Sequence, residues 1–120
     1  MKIELEEKYV TWNEIITKTA RHWGAKKRLF DIWKDLVGWA IYQVEDKPSL
    51  PFKRKVDLSF LVTYKKGRGR TPDVDGVCVK PIIDALVEHG VLVDDSIKWV
   101  ESLHIKLEAG DKNKIIIDIE

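Results

Sequence analysis

Arg54-Lys55-Val56-Asp57-Leu58-Ser59-Phe60-Leu61-Val62-Thr63-Tyr64 is the stretch that decides the fold. Val56, Leu58, Phe60, Val62 and Tyr64 occupy every second position, which puts them on one face of a strand. That face needs an apolar cover, and both flanks offer one. Residues 25–45 carry Leu29, Trp33, Leu36, Val37, Ala40, Ile41 and Val44 at helical spacing. Residues 77–89 carry Val79, Ile82, Ile83, Leu86 and Val87 in the same way. Pro81 is tolerated only in a first turn, so this helix starts near Val79 or Lys80, and Gly90 closes it. Helices over a strand of this kind predict an α+β fold, a small mixed or antiparallel sheet packed with helices.

The remaining elements follow from local signals. Ile3 and Leu5 alternate with charge over residues 2–6, a short edge strand. Thr11 caps a helix and Glu14 reaches back to it, with Ile15, Ile16, Thr19 and Trp23 on one face and Gly24 as its stop. Gly38 costs the long helix about 1 kcal/mol relative to Ala, which suits a point of close packing. Residues 97–107 and 114–119 read as two strands joined by a turn at Gly110-Asp111, and such strands are expected to pair as a hairpin. Trp33, Trp39 and Tyr42 form an aromatic stripe whose uses include core, dimer seam and base stacking.

The 120 residues amount to one domain, residues 1–120, without repeats or low-complexity tracts. No apolar run approaches the roughly 20 residues that span a bilayer. The opening MKIELEEKYV lacks the apolar core of a signal peptide, so no membrane and a cytoplasmic location are expected. A single cysteine, Cys78, excludes an internal disulfide and a multi-cysteine zinc site. His22, His89 and His104 share no ligand spacing and read as surface or helix-end residues.

A net charge of +1 says nothing for nucleic acid, but its distribution is uneven. Lys53, Arg54, Lys55, Lys65, Lys66, Arg68 and Arg70 face only Asp57 across residues 53–70, and Lys26, Lys27 and Arg28 form a second basic run. Gly67 and Gly69 let the 65–72 loop approach a ligand closely, and arginine grips phosphate bidentately. A solvated surface and an exposed turn are the plainer readings of the same residues. Acids gather at Asp73 and Asp75, and again at Asp94 and Asp95. Side chains two apart on an extended segment share a face, so Asp73 and Asp75 can address one site. Loops at either end of a short helix can fold toward one edge and bring the pairs together. Clustered carboxylates repel unless a cation compensates, and Mg²⁺ suits an all-oxygen site. Turn chemistry is the plainer reading of each pair taken singly. Lys80 lies at i, i+4 from Asp84 and has two uses, a helix pair or a phosphate contact.

The segment Asp73-Val-Asp75-Gly76-Val-Cys-Val-Lys80-Pro-Ile-Ile-Asp84-Ala-Leu, followed by Gly90 and Asp94-Asp95, resembles the signature of the RusA-type Holliday-junction resolvases. That signature has an Asp-x-Asp-Asn pair, a lysine, a helix with Asp-Ala-Leu, a glycine and Asp-Asp. The likeness covers about a quarter of the chain. It implies a RusA-like homodimer that binds branched DNA, four-way junctions above all, and cuts phosphodiesters with Mg²⁺ or Mn²⁺. Carried across, Asp73, Asp75 and Asp95 are catalytic metal ligands with Asp94 beside them, and Lys80 is the catalytic lysine. Asp84 matches the helix aspartate, in a role that is open to being structural. Lys53, Arg54, Lys65, Lys66, Arg68 and Arg70 sit where the family places DNA-facing charge. This chain departs in two places: Gly76 replaces the asparagine, and one extra residue separates Asp75 from Lys80. Two rival expectations are a non-catalytic DNA or junction binder on the same fold, and a phage or mobile-element scaffold whose acids only make turns.

Overall fold

The alternating stretch becomes the central strand of a four-stranded sheet. A computed structural model describes residues 1–21, 23–67 and 69–120, without the side chains of residues 19–21. In chain order the elements are β1 (Lys2–Leu5), β2 (Val10–Thr11), α1 (Trp12–Arg21), α2 (Trp23–Tyr42), β3 (Val56–Lys65), β4 (Val77–Cys78), α3 (Lys80–Glu88), β5 (Val100–Gly110) and β6 (Lys114–Ile119). A 3-10 turn, Val74–Gly76, precedes β4. The expected inward side chain of Thr19, and the readings of His22 and Arg68, lie outside the described residues.

The sheet order is β1-β6-β3-β5, and β2 and β4 form a separate two-stranded pair. β3 runs parallel to β5 and antiparallel to β6, so the sheet is mixed. A parallel pair needs a long crossover, and α3 provides it. Val56, Leu58, Phe60 and Val62 are buried with Ile3 and Leu5 of β1 and Ile115, Ile117 and Ile119 of β6. Trp33, Val37, Ala40 and Ile41 of α2, with Ile82, Ala85 and Leu86 of α3, complete this core. The other face of the sheet is less covered: Ser59, Leu61, Thr63, Ile116 and Asp118 are half-buried there, and His104, Lys106 and Glu108 are exposed. Among the described residues no helix is long and apolar enough to cross a membrane.

Several expectations are corrected. β5 and β6 do not form a hairpin, because β3 lies between them. Residues 111–113 step across the end of β3, a distance of two strand spacings or about 10 Å, well within the reach of four Cα steps. The step is held down by the Lys66 N–H donating to Gly110 O (3.0 Å) and the Lys65 N–H donating to Asn113 Oδ1 (2.9 Å). The strand expected at 97–107 begins only at Val100, since Trp99 N–H closes a turn on Ser96 O (2.9 Å). The third helix is shorter than 77–89: it starts at Lys80, as Pro81 required, and Val77 and Cys78 ahead of it pair with Thr11 and Val10. Gly24 is no stop; it sits in the first turn of α2, where a glycine leaves few helical bonds weakened. Of the stripe expected on α1, Ile15 is buried but Ile16 and Trp23 are exposed.

Other expectations hold. Thr11 Oγ1 accepts the Glu14 N–H (3.1 Å), an N-terminal cap. Pro81 lies in the first turn of α3, and Gly90 ends it at φ +75°. Gly38 does mark close packing: a β-carbon there would lie 2.7 Å from the His89 ring, whose Nε2 is 2.7 Å from Lys34 O. Lys34 also pairs with Glu88 at 2.9 Å, fastening α2 to the end of α3. Trp33 of the aromatic stripe is core, whereas Trp39 and Tyr42 are exposed and meet edge to face at 6.1 Å.

Candidate functional site

Asp73 lies in extended conformation (φ −92°, ψ 137°) just ahead of the 3-10 turn that contains Asp75. Gly76 N–H donates to Asp73 O at 3.1 Å and tightens the turn. Strand alternation therefore does not align the two carboxylates, yet both line one cleft of about 410 Å³. Both are exposed, and among the described residues neither has an ion pair. Tyr9, Thr11, Trp12 and Asn13 form the opposite wall. Sequence reasoning missed these four. They arrive through the Val10–Cys78 and Thr11–Val77 pairs, a ladder too short to leave a periodic pattern. Tyr9 is buried, and that burial holds its phenol above the ordinary value. Burial likewise pushes the Cys78 thiol up, which makes it a packing residue rather than a nucleophile.

Asp94 and Asp95 follow α3 on the turn that leads into β5. Asp94 is held below the ordinary carboxylate range, chiefly because the Asp95 backbone N–H donates to it, with smaller donations from Ser96. The carboxylate thus caps the turn. The depressed value sets the sign of the pH dependence. Asp94 contributes stability above its unfolded pKa of about 3.9, and that contribution is lost as pH falls through its lower folded value. We expect Asp94→Ala to lower the melting temperature at pH 7 and to match wild type once both are below the folded value. Equal melting temperatures throughout would show that the turn needs no cap. Asp95 is exposed and lines a different cleft, of about 260 Å³, with Ile83, Ile97, Val100, Glu101 and Leu103.

The structure does not bring the two acid pairs into one cleft. They bracket α3, whose nine residues are about 13 Å long. β4 ties the first pair to the N-terminal segment, while Phe52 N–H donates to Val91 O (3.1 Å) near the second. Among the described residues no three of His, Cys, Asp and Glu come together to hold a metal ion. Lys80 heads α3, exposed, with Nζ 3.4 Å from Asp84 Oδ1. Of its two expected uses the helix pair is the one formed, and such exposed pairs contribute at most about 1 kcal/mol.

The basic residues of 53–70 are likewise two groups, not one band. Lys53 and Arg54 precede the ten-residue strand β3, about 33 Å long, and Lys65 and Lys66 stand at its other end, ahead of Arg70. Arg54 is turned onto its own chain, donating to Lys55 O (3.0 Å) with its guanidinium 5.4 Å from the Phe52 ring. Lys55 pairs with Glu101 at 3.3 Å. Lys65, Lys66 and Arg70 are exposed, make no ion pair among the described residues, and lead directly into Asp73. In the second basic run, Lys27 pairs with Asp31 (3.0 Å) and Lys26 lies over Phe30. No family model, curated protein or solved structure matches this chain.

Proposed function

We propose that this chain is a RusA-like, metal-dependent endonuclease that acts on branched DNA as a homodimer. One observation carries the reading: Asp73 and Asp75 share a cleft, exposed and without cationic partners among the described residues, and they follow in the chain the exposed Lys65, Lys66 and Arg70, which make no ion pair among those residues. Two unneutralised carboxylates beside phosphate-binding charge suit a hard cation, which takes one or two carboxylates plus water and phosphate. Bound there, Mg²⁺ or Mn²⁺ would supply an activated water and neutralise charge on the scissile phosphate. Lys65, Lys66 and Arg70 hold the DNA backbone and fix its position against the cleft. Tyr9 and Trp12 wall the cleft on the far side and limit the approach of the strand. Asp95 lines a separate cleft, so the proposed ligand pair is Asp73 and Asp75.

A second reading, a junction binder that does not cut, is favoured by Gly76 in place of the asparagine and by the separation of Asp95 from Asp73 and Asp75. Cleavage of a synthetic four-way junction decides between them, run with Mg²⁺ and with EDTA against a linear duplex. Wild type is expected to nick the junction only with Mg²⁺, and Asp75→Asn to slow single-turnover nicking by about 100-fold or more. Salt-sensitive binding without nicking supports the second reading. Nicking by Asp75→Asn at the wild-type rate removes the proposed site.

A further inference from the structure

β5 is an edge strand of eleven residues, whereas β1, the opposite edge, has four. Gly110 O is turned toward β3, accepting the Lys66 N–H, and the β3–β5 register is unbroken from Ser102 to Gly110. Backbone groups alternate along a strand. Those of Ser102, His104, Lys106 and Glu108 therefore point to β3, and those of Leu103, Ile105, Leu107 and Ala109 point outward. Among the described residues nothing pairs with that outer edge. Long open edges are blunted in most proteins by proline, inward charge or a covering loop. β5 has no proline, and its inward side chains are apolar: Leu103, Ile105 and Leu107 lie opposite Leu58, Phe60 and Val62. Leu103 is 47% exposed, and with Ile83 and the 86% exposed Ile97 it borders the 260 Å³ cleft.

We propose that β5 pairs antiparallel with β5 of a second copy about a two-fold axis at Ile105, joining two four-stranded sheets into one. The strand's own sequence argues for this occupant: Ile105 is the middle of its eleven residues, so an axis there pairs the strand end to end with its mate. With Ile105 on the axis, outward backbone groups meet outward groups. Ile105 then faces its symmetry mate, and Leu103 faces the partner's Leu107, so the apolar layer under the helices continues across the seam. On the open face Ser102 faces the partner's Glu108 and His104 faces the partner's Lys106. Moving the axis to His104 sets Glu101 against Leu107. Moving it to Lys106 opposes two lysines directly. The proposal rests on the homodimer of the preceding reading, but not on its nuclease chemistry.

The test uses the full chain without DNA. Sedimentation equilibrium is expected to give a dimer for wild type. Ile105→Lys, which places two charges at the axis, is expected to raise the dissociation constant at least 100-fold while circular dichroism keeps the wild-type shape. Ile105→Cys guards against a variant that fails to fold. Facing β-carbons of a hydrogen-bonded pair lie about 5.5 Å apart, so a short bismaleimide cross-linker is expected to link this variant into dimers. Leu61→Cys, on the open face, is expected to remain unlinked. A monomeric wild type overturns the proposal. So does a dimer indifferent to Ile105→Lys, or linking no greater at 105 than at 61. A β5-paired dimer that cuts no junction would sink the nuclease reading alone.

Discussion

Phe60→Ala is expected to lower stability by about 3–5 kcal/mol, which for a domain of this size is roughly 12–20 °C in melting temperature. Phe60 is 1% exposed and lies at the middle of β3, flanked by Ile117 of β6 and Ile105 of β5. Both neighbouring strands are hydrogen-bonded to it, so the sheet cannot move in to fill the space left by the ring. A loss of that size is a large share of the roughly 5–15 kcal/mol available to a small domain. Leu61→Ala removes an apolar side chain one residue away, half-buried on the opposite face, and is expected to cost under about 1.5 kcal/mol. Thermal melts of the two variants side by side measure the asymmetry of the sheet. Equal losses would mean that the second face is covered as well.

Replacing Lys65, Lys66 and Arg70 together by alanine is expected to weaken four-way-junction binding about 100-fold or more near 0.1 M salt. It is also expected to flatten the plot of log K against log salt by about 3. The three cations are exposed, make no ion pair among the described residues and lead into the Asp73–Asp75 cleft. Each neutralised phosphate releases counterions, so three lost contacts appear directly in the slope. Lys53→Ala with Arg54→Ala, at the far end of β3, is expected to change affinity less. Arg54 is already committed to the Lys55 carbonyl and the Phe52 ring. An unchanged slope in the triple variant would return the 65–70 segment to an ordinary solvated turn.

What could be read from the chain was local. The period-two run of Val56, Leu58, Phe60 and Val62, the helical repeat through Trp33 and Val37, Pro81 at a helix start and Gly90 at its end each involve neighbours within a few residues. Side-chain period and capping act at that range, and these elements appear nearly as expected. Pairing was less legible. A three-residue link between two strands fits a hairpin, and it fits equally well a step over a third strand; nothing in Asp111-Lys112-Asn113 distinguishes them. The two-residue ladder that brings Tyr9, Trp12 and Asn13 to the acids carries no pattern at all. The division of the basic residues was open to arithmetic, since a ten-residue strand about 33 Å long runs from one group to the other. Whether Asp95 meets Asp73 and Asp75 is not a matter of spacing. It depends on which way α3 runs and on what lies beside it.

The step over the end of β3 also dictates the order in which the sheet is completed during synthesis. β3 leaves the ribosome before either of its neighbours, and β6 emerges after β5. β1 waits longest, because its partner among the described residues is β6. A nascent chain that has reached residue 110 thus carries an apolar strand with one bare edge and a second strand with no partner. Such a chain is exposed to aggregation until six more residues of strand arrive. A stop codon placed ahead of Lys114 would therefore remove more than a peripheral strand: it would leave the first and the central strands of the sheet unjoined.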